Sequence, residues 1–274
     1  MPLIPLARVG YDDEFLDDCA EMGVDRVARY LLYQAYYDGD RGAKLRDRAL
    51  EYLERQSRVP FCENFVEPVV DSLAERLNVI GFSSSADDAD EEDALAAVCE
   101  EWWQRNRMDA AQSTVHRQTL IAGDEFVIVE WNEPLGLPRF CRQRPEQIRI
   151  VYSDDDPTVI EYAVKKWNTR TVGPQNPVGR PIQRMNVYWP DRVEKWYRVT
   201  QGDEEGRGGW ERWSDAGELG WPLPWITVEG EPLGVPVVHF RHRADGCYGR
   251  SRVRAAIPFQ EQVNKYAADL NDLI

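Results

Sequence analysis

Leu120-Ile121-Ala122-Gly123-Asp124-Glu125-Phe126-Val127-Ile128-Val129-Glu130-Trp131 is where the chain changes character. Residues 108–122 read as a helix running into Gly123, a residue suited to the left-handed conformation that closes helices. Phe126–Trp131 is a compact β-branched and aromatic run, hence a strand, with its turn at Asn132–Pro138.

Upstream of that divide the periodicity is helical. Val24, Val27, Ala28, Leu31, Leu32 and Ala35 fall on one face, and Asp38-Gly39-Asp40 is a stop signal. A heavily charged helix is expected over 43–56. An apolar stripe follows over 61–80, where Pro68 calls for a kink or a helix start. Gly81–Asp90 reads as a polar loop, and a helix over 91–106 opens with acids that suit the positive end of its dipole. Downstream, strands are expected near 139–152, 158–168, 184–190, 193–200 and 235–240. Most of the ten tryptophans lie between 131 and 225, and the Gly-rich stretch 202–209 reads as a hairpin tip. From Gly249 the pattern is helical again, through Val253, Ile257, Val263, Tyr266, Leu270 and Leu273. The sequence stops inside that pattern, so truncation is expected. The class is α+β, helices flanking an antiparallel β-rich region.

The bulk properties narrow the function. Hydrophobic content is 43% and charged content 30% over 274 residues, an ordinary globular balance. No apolar run approaches the roughly 20 residues that span a bilayer. Met1–Leu6 is too short for a secretory signal, so the cytoplasm is the expected site of synthesis and assembly, with no membrane partner. Five scattered cysteines without a C-x-x-C pair fit reduced thiols. A net charge of −15 argues against a protein that coats DNA, although DNA could still pass without being gripped.

Charge is also unevenly placed. Asp87, Asp88, Asp90, Glu91, Glu92 and Asp93 form an acidic knot, while Arg241, Arg243, Arg250, Arg252 and Arg254 form a basic cluster interrupted only by Asp245. That cluster could meet DNA phosphates, an acidic face of a neighbouring subunit, or solvent. The acidic surplus elsewhere makes subunit pairing the economical use.

No catalytic constellation emerges. His239 and His242, three apart on a strand, point to opposite faces and suit no shared metal. Asp154-Asp155-Asp156-Pro157 reads as a solvated turn before it reads as a metal cluster. The phosphate loop, the dinucleotide fingerprint and the nucleophile elbow are all missing from the sequence. The expectation is therefore a non-enzyme with no catalytic residue, no metal and no cofactor.

One ordered set of short motifs goes further. It runs through Tyr36-Tyr37-Asp38-Gly39-Asp40, Asn64, Val69-Val70-Asp71-Ser72-Leu73-Ala74-Glu75-Arg76-Leu77 and Gly81-Phe82. It continues through Trp102-Trp103, Asn106-Arg107-Met108-Asp109, Ala122–Val127, Pro145-Glu146-Gln147 and Tyr152. It closes with Pro236–Phe240, Gly249-Arg250-Ser251, Ile257-Pro258-Phe259-Gln260 and Asn264-Lys265. In this order the chain resembles the portal proteins of long-tailed bacteriophages, especially those of actinobacteria.

The resemblance implies a virion protein, the subunit of a homo-oligomeric ring, usually a dodecamer, at one capsid vertex. Such rings pass double-stranded DNA during packaging and ejection. Their partners are terminase, the head–tail connector, and the major capsid and scaffolding proteins. It also implies a helical wing over 1–107, a first stem helix over 108–123, a β-rich clip and lower wing over 124–245, and a second stem helix over 246–274. Relatives continue into a tunnel loop, a long kinked helix and a crown, so a fragment lacking the C-terminal half is expected here. Two other readings are a minor head or connector protein and, more remotely, a metal-dependent nucleic-acid enzyme using Asp154–Asp156.

Overall fold

The computed structural model describes residues 13–40, 63–83, 89–200, 209–215, 220–244 and 246–271. The helix expected at 43–56 and nearly all of the Gly-rich stretch 202–209 lie outside the described residues. Helices and antiparallel sheets together make an α+β fold. It divides into two compact units, one built from residues up to Arg26 with Glu146–Val237, the other from Val27–Pro145 with the residues from Val238 on. The β-rich stretch 124–245 is thus shared between the units.

The first unit is an antiparallel sheet with a short helix across one face. Strands β3 (Ile148–Tyr152), β4 (Ile160–Thr169), β5 (Ile182–Tyr188), β6 (Arg192–Val199) and β7 (Glu211–Arg212) follow one another in space, and β8 (Leu223–Pro224) also pairs with β6. Period-2 alternation sends Tyr162, Val164, Met185, Val187 and Trp196 to one side, where α1 (Asp13–Ala20) lays Leu16, Cys19 and Ala20 on them. Burial and the transfer of apolar area drive that contact. Cations finish it: Arg149 donates to the carbonyls of Asp18 and Glu21, and Lys166 to that of Ala20, covering the acceptors that a helix C-terminus leaves open. On the other side, Arg184 lies 4.2 Å from the Trp213 ring and 5.1 Å from that of Trp167. Asp215 closes this cluster, accepting from Lys195 at 2.6 Å and from Trp213 Nε1 at 2.7 Å. Burial alone would raise its carboxyl pKa, but those donors outweigh burial and leave it below the usual value.

The second unit is mainly helical. It contains α2 (Val24–Tyr37), α3 (Val66–Ala74), α4 (Ala89–Arg105), α5 (Met108–Ala122) and α6 (Val253–Asn271). Its three-stranded sheet has the order β2 (Leu137–Gln143), β1 (Asp124–Asn132), β9 (Val237–Arg241). Tyr33 and Tyr36 of α2, Val66, Val70 and Ala74 of α3, Leu120 and Ile121 of α5, and Val253 of α6 form its core. Pro68 falls in the first turn of α3, where a missing N–H costs nothing, so the proline marks a helix start.

Three features differ from the sequence reading. The run 139–152 is two strands in different sheets, broken by a 3₁₀ turn at Pro145–Gln147. The last helix begins at Val253 rather than Gly249, because residues 249–252 are spent on the contacts described below. And α1, an acidic eight-residue helix, was not anticipated.

Candidate functional site

The best-organised polar site among the described residues sits where α5 ends and α6 begins. Gly123 closes α5 at φ +96°, and its N–H donates to Thr119 O at 2.9 Å. The returning chain crosses it closely. A Cβ on Gly123 would stand 2.8 Å from Ser251 N, and one on Gly249 would land on the Gly123 carbonyl oxygen. Only glycine fits on either side of this crossing. Backbone bonds stitch it, from His242 N to Gly123 O at 2.9 Å, from Arg250 N to His242 O at 2.7 Å, and from Arg252 N to Leu120 O at 2.9 Å. Ser251 donates its hydroxyl to Ile121 O and accepts from Val253 N at 3.0 Å, so it caps α6 while holding α5.

Asp124 is the hub. Its buried carboxylate accepts from Tyr30 OH at 2.6 Å, His239 Nε2 at 2.8 Å and Gly249 N at 2.6 Å. Because a carboxylate only accepts, the His239 proton is on Nε2. One side chain thereby ties α2, β1, β9 and the approach to α6. The sequence reading treated His239 as an ordinary strand residue and did not single out Asp124. No local pattern marks that hub, since its three donors come from segments 94, 115 and 125 residues away in the chain.

Of the five arginines of the basic cluster, Arg250 and Arg252 donate backbone N–H groups within this crossing, and Arg241 and Arg243 flank His242 in the chain. Arg241 ends β9 and is exposed, with a long contact of 3.4 Å to Gly246 O; Arg243 is exposed at φ +47°. Arg250 and Arg254 are exposed, and Arg252 is half-buried, its Nε enclosed without a hydrogen-bond partner. Among the described residues, no carboxylate pairs with Arg243, Arg250, Arg252 or Arg254. Four arginines without a carboxylate partner among the described residues stand out in a chain of net charge −15. Positive charge at a helix start opposes the dipole of α6, so these arginines are not there to stabilise the helix.

The remaining candidates do less. Asp154, Asp155 and Asp156 are exposed in the β3–β4 turn, where Asp156 accepts from the Thr158 hydroxyl at 2.6 Å and its N–H at 2.9 Å. Those bonds lower its carboxyl pKa and make the segment a closed turn. No group of three or more potential metal ligands is gathered among the described residues. None of the helices there is long and apolar enough to cross a membrane.

Several of the motif residues prove to be cross-links of the second unit. Asn64 Nδ2 donates to Tyr37 O at 2.7 Å, and Tyr37 OH and Arg117 Nε both donate to Asp71, at 2.9 and 3.0 Å. Gln260 donates to Glu63 O at 2.7 Å and to Asn264 at 2.9 Å, and accepts from Phe65 N at 2.9 Å. Asn106 bridges the end of α4 to Pro138 O and Phe140 N. A family model described as "Phage portal protein, SPP1 Gp6-like" matches residues 17–270. The chain belongs to the SPP1 Gp6-like portal family. Membership covers both units of the fold, and the family is a structural rather than an enzymatic one. A search of curated proteins returns no match. For a portal protein the Gly123–Gly249 crossing is a structural asset, fixing the ends of two helices to one buried carboxylate.

Proposed function

We propose that the chain is a ring subunit at the capsid vertex, forming the channel through which double-stranded DNA is packaged and ejected. In this reading α5 and α6 are the two stem helices, residues 1–107 contribute the wing, and the strands between the stem helices supply the clip and lower wing. The ring would be the docking site first for terminase and then for the head–tail connector, and would sit in the virion after assembly beside capsid and scaffolding proteins. The observation that carries the proposal is the family match over 17–270, on a chain whose two candidate stem helices are joined by a glycine crossing and a buried hub. Two properties support it. The acidic surplus repels phosphate and lets DNA slide without strong counterion-releasing contacts. Arg243, Arg250, Arg252 and Arg254, which pair with no carboxylate among the described residues, suit the heterologous contacts of a closed ring. Light scattering after gel filtration, then negative-stain imaging, tests the proposal. Rings of about twelve subunits are expected; a chain that stays monomeric at every accessible concentration overturns it.

A further inference from the structure

The second unit presents a groove and a projecting turn that share no residue. The groove, of about 520 Å³, runs between α3 and α6 and is lined by Phe65, Val69, Ser72, Arg252, Ala256 and Phe259 among others. Phe259 is 57% exposed and meets Phe65 edge-on with ring centroids 5.8 Å apart, so the apolar lining is open to solvent. Arg252 is the one charged residue of that lining; it is half-buried there and pairs with no carboxylate among the described residues.

The projecting turn is the tip of the β1–β2 hairpin. β1 is buried from Asp124 to Ile128 and then leaves the core, with Glu130 and Trp131 exposed. A 3₁₀ turn at Glu133–Leu135 reverses the chain, stiffened by Pro134 and closed by Gly136 at φ +61°, whose N–H donates to Asn132 O at 2.9 Å. This fixed turn holds Trp131 and Leu135 in solvent, 55% and 63% exposed. Between them in the chain stands Glu133, exposed and paired with no cation among the described residues.

The two surfaces match in kind and in number. One offers apolar walls and a single cation, the other two apolar side chains and a single carboxylate. Water gives Trp131 and Leu135 nothing, whereas an aromatic anchor seated in a partner's pocket carries much of the energy of an interface. A guanidinium walled by Phe and Ala side chains is partly dehydrated, so a carboxylate that reaches it is held more firmly than at an open surface. Nucleic acid would use Arg252 but has no need of Phe65, Val69 and Phe259. We infer that the β1–β2 tip of one copy seats Trp131 and Leu135 in the α3–α6 groove of the next, with Glu133 on Arg252. Because tip and groove are different surfaces of one chain, the contact is head-to-tail and repeats from copy to copy, as a closed ring requires. This inference rests on the ring-subunit reading and names surfaces that build the ring.

The test is sedimentation velocity of the full chain over a concentration series, with R252E, E133R, the double variant R252E/E133R, and W131A. Each single charge reversal sets like charges against each other and should weaken association about tenfold. The double variant restores opposite charges across every contact and should recover most of the wild-type association. W131A removes the anchor and should weaken association about thirtyfold. Far-ultraviolet circular dichroism identical to wild type shows that a variant is folded; should R252E fail to fold, E133R and W131A, at exposed positions, decide the question. Unchanged association in E133R or W131A overturns the inference, as does a double variant that folds yet associates no better than the folded single reversals. So does an R252E chain that associates normally but loses duplex-DNA binding, which assigns the groove to nucleic acid. Imaged rings indifferent to all four variants remove this contact and leave the ring reading standing, whereas a wild-type chain that never associates removes both.

Discussion

Replacing Asp124 with alanine should destabilise the helical unit more than any other single polar change in it. The substitution strips acceptors from Tyr30 OH, His239 Nε2 and Gly249 N–H at once, in a site where Asp124 itself is 1% exposed. Each buried donor left without a partner costs about 1–3 kcal/mol, so partial relief by entering water still leaves a loss of about 3–6 kcal/mol. That is a large fraction of the ~5–15 kcal/mol that holds a typical domain folded. Asp124→Asn is the internal control. Its carbonyl can still face His239 and Gly249, and the Tyr30 hydroxyl can rotate to accept from the new NH₂ group, so only the charge is lost, at about 1–2 kcal/mol. Urea titration followed by far-ultraviolet circular dichroism reports mainly on this unit, which holds the longer helices. With a slope of about 2 kcal/mol per molar, the alanine variant should unfold roughly 2 M earlier than wild type. Tryptophan emission, dominated by the six-stranded unit, gives a second probe. If Asp124→Ala shifts the transition no further than Asp124→Asn, the hub carries no cooperative load and the reasoning fails.

Two other outcomes follow from packing and burial. Gly249→Ala would drive a methyl group into the Gly123 carbonyl oxygen, a backbone atom that cannot swing aside; a loss of about 3 kcal/mol is expected, against a few tenths for Gly81→Ala, where the space is open and the backbone is not left-handed. Thermal melts of the two variants make the comparison, and equal melting would contradict the close crossing. Burial pushes the Cys19 thiol up to about 11, so at pH 8 it should resist alkylation while partly exposed Cys99, Cys141 and Cys247 react. Mass spectrometry of the labelled peptides would show this, and early modification of Cys19 would place α1 away from the sheet.

Much of the fold is legible in the sequence because period and punctuation agree. Gly123 after an apolar helix, and the β-branched run behind it, fix the end of α5 and the start of β1 almost to the residue. The strands β4, β5 and β6 are framed by turn residues on both sides and fall where expected. α1 escapes because eight residues, four of them acidic, carry too little apolar signal, and its stability comes from the sheet it covers and from Arg149 and Lys166, far along the chain. β2 and β3 read as one strand because nothing apolar separates them; only Pro145 signals the break. The basic cluster was visible from composition, yet that Arg243, Arg250, Arg252 and Arg254 pair with no carboxylate among the described residues was not, since pairing depends on which carboxylates fold near them. Asp124 stands inside one of the quoted motifs, but its role as a hub was invisible for the same reason. A lone acid at a helix–strand junction is commonplace, and what makes this one a hub is the convergence of three distant donors.

The packing of α1 has a consequence for how the chain comes off the ribosome. Phe15, Leu16 and Cys19 are synthesised well over a hundred residues before Tyr162, Met185, Trp196 and Trp210, against which they pack. Contacts of such long sequence separation form slowly, because the intervening loop must close before burial repays its entropy. An apolar segment made long before its partners is therefore late to find its place. Until those strands emerge it is an apolar segment awaiting its sheet, and the acidic residues around it (Asp13, Glu14, Asp17, Asp18) keep nascent copies from gathering there through mutual repulsion.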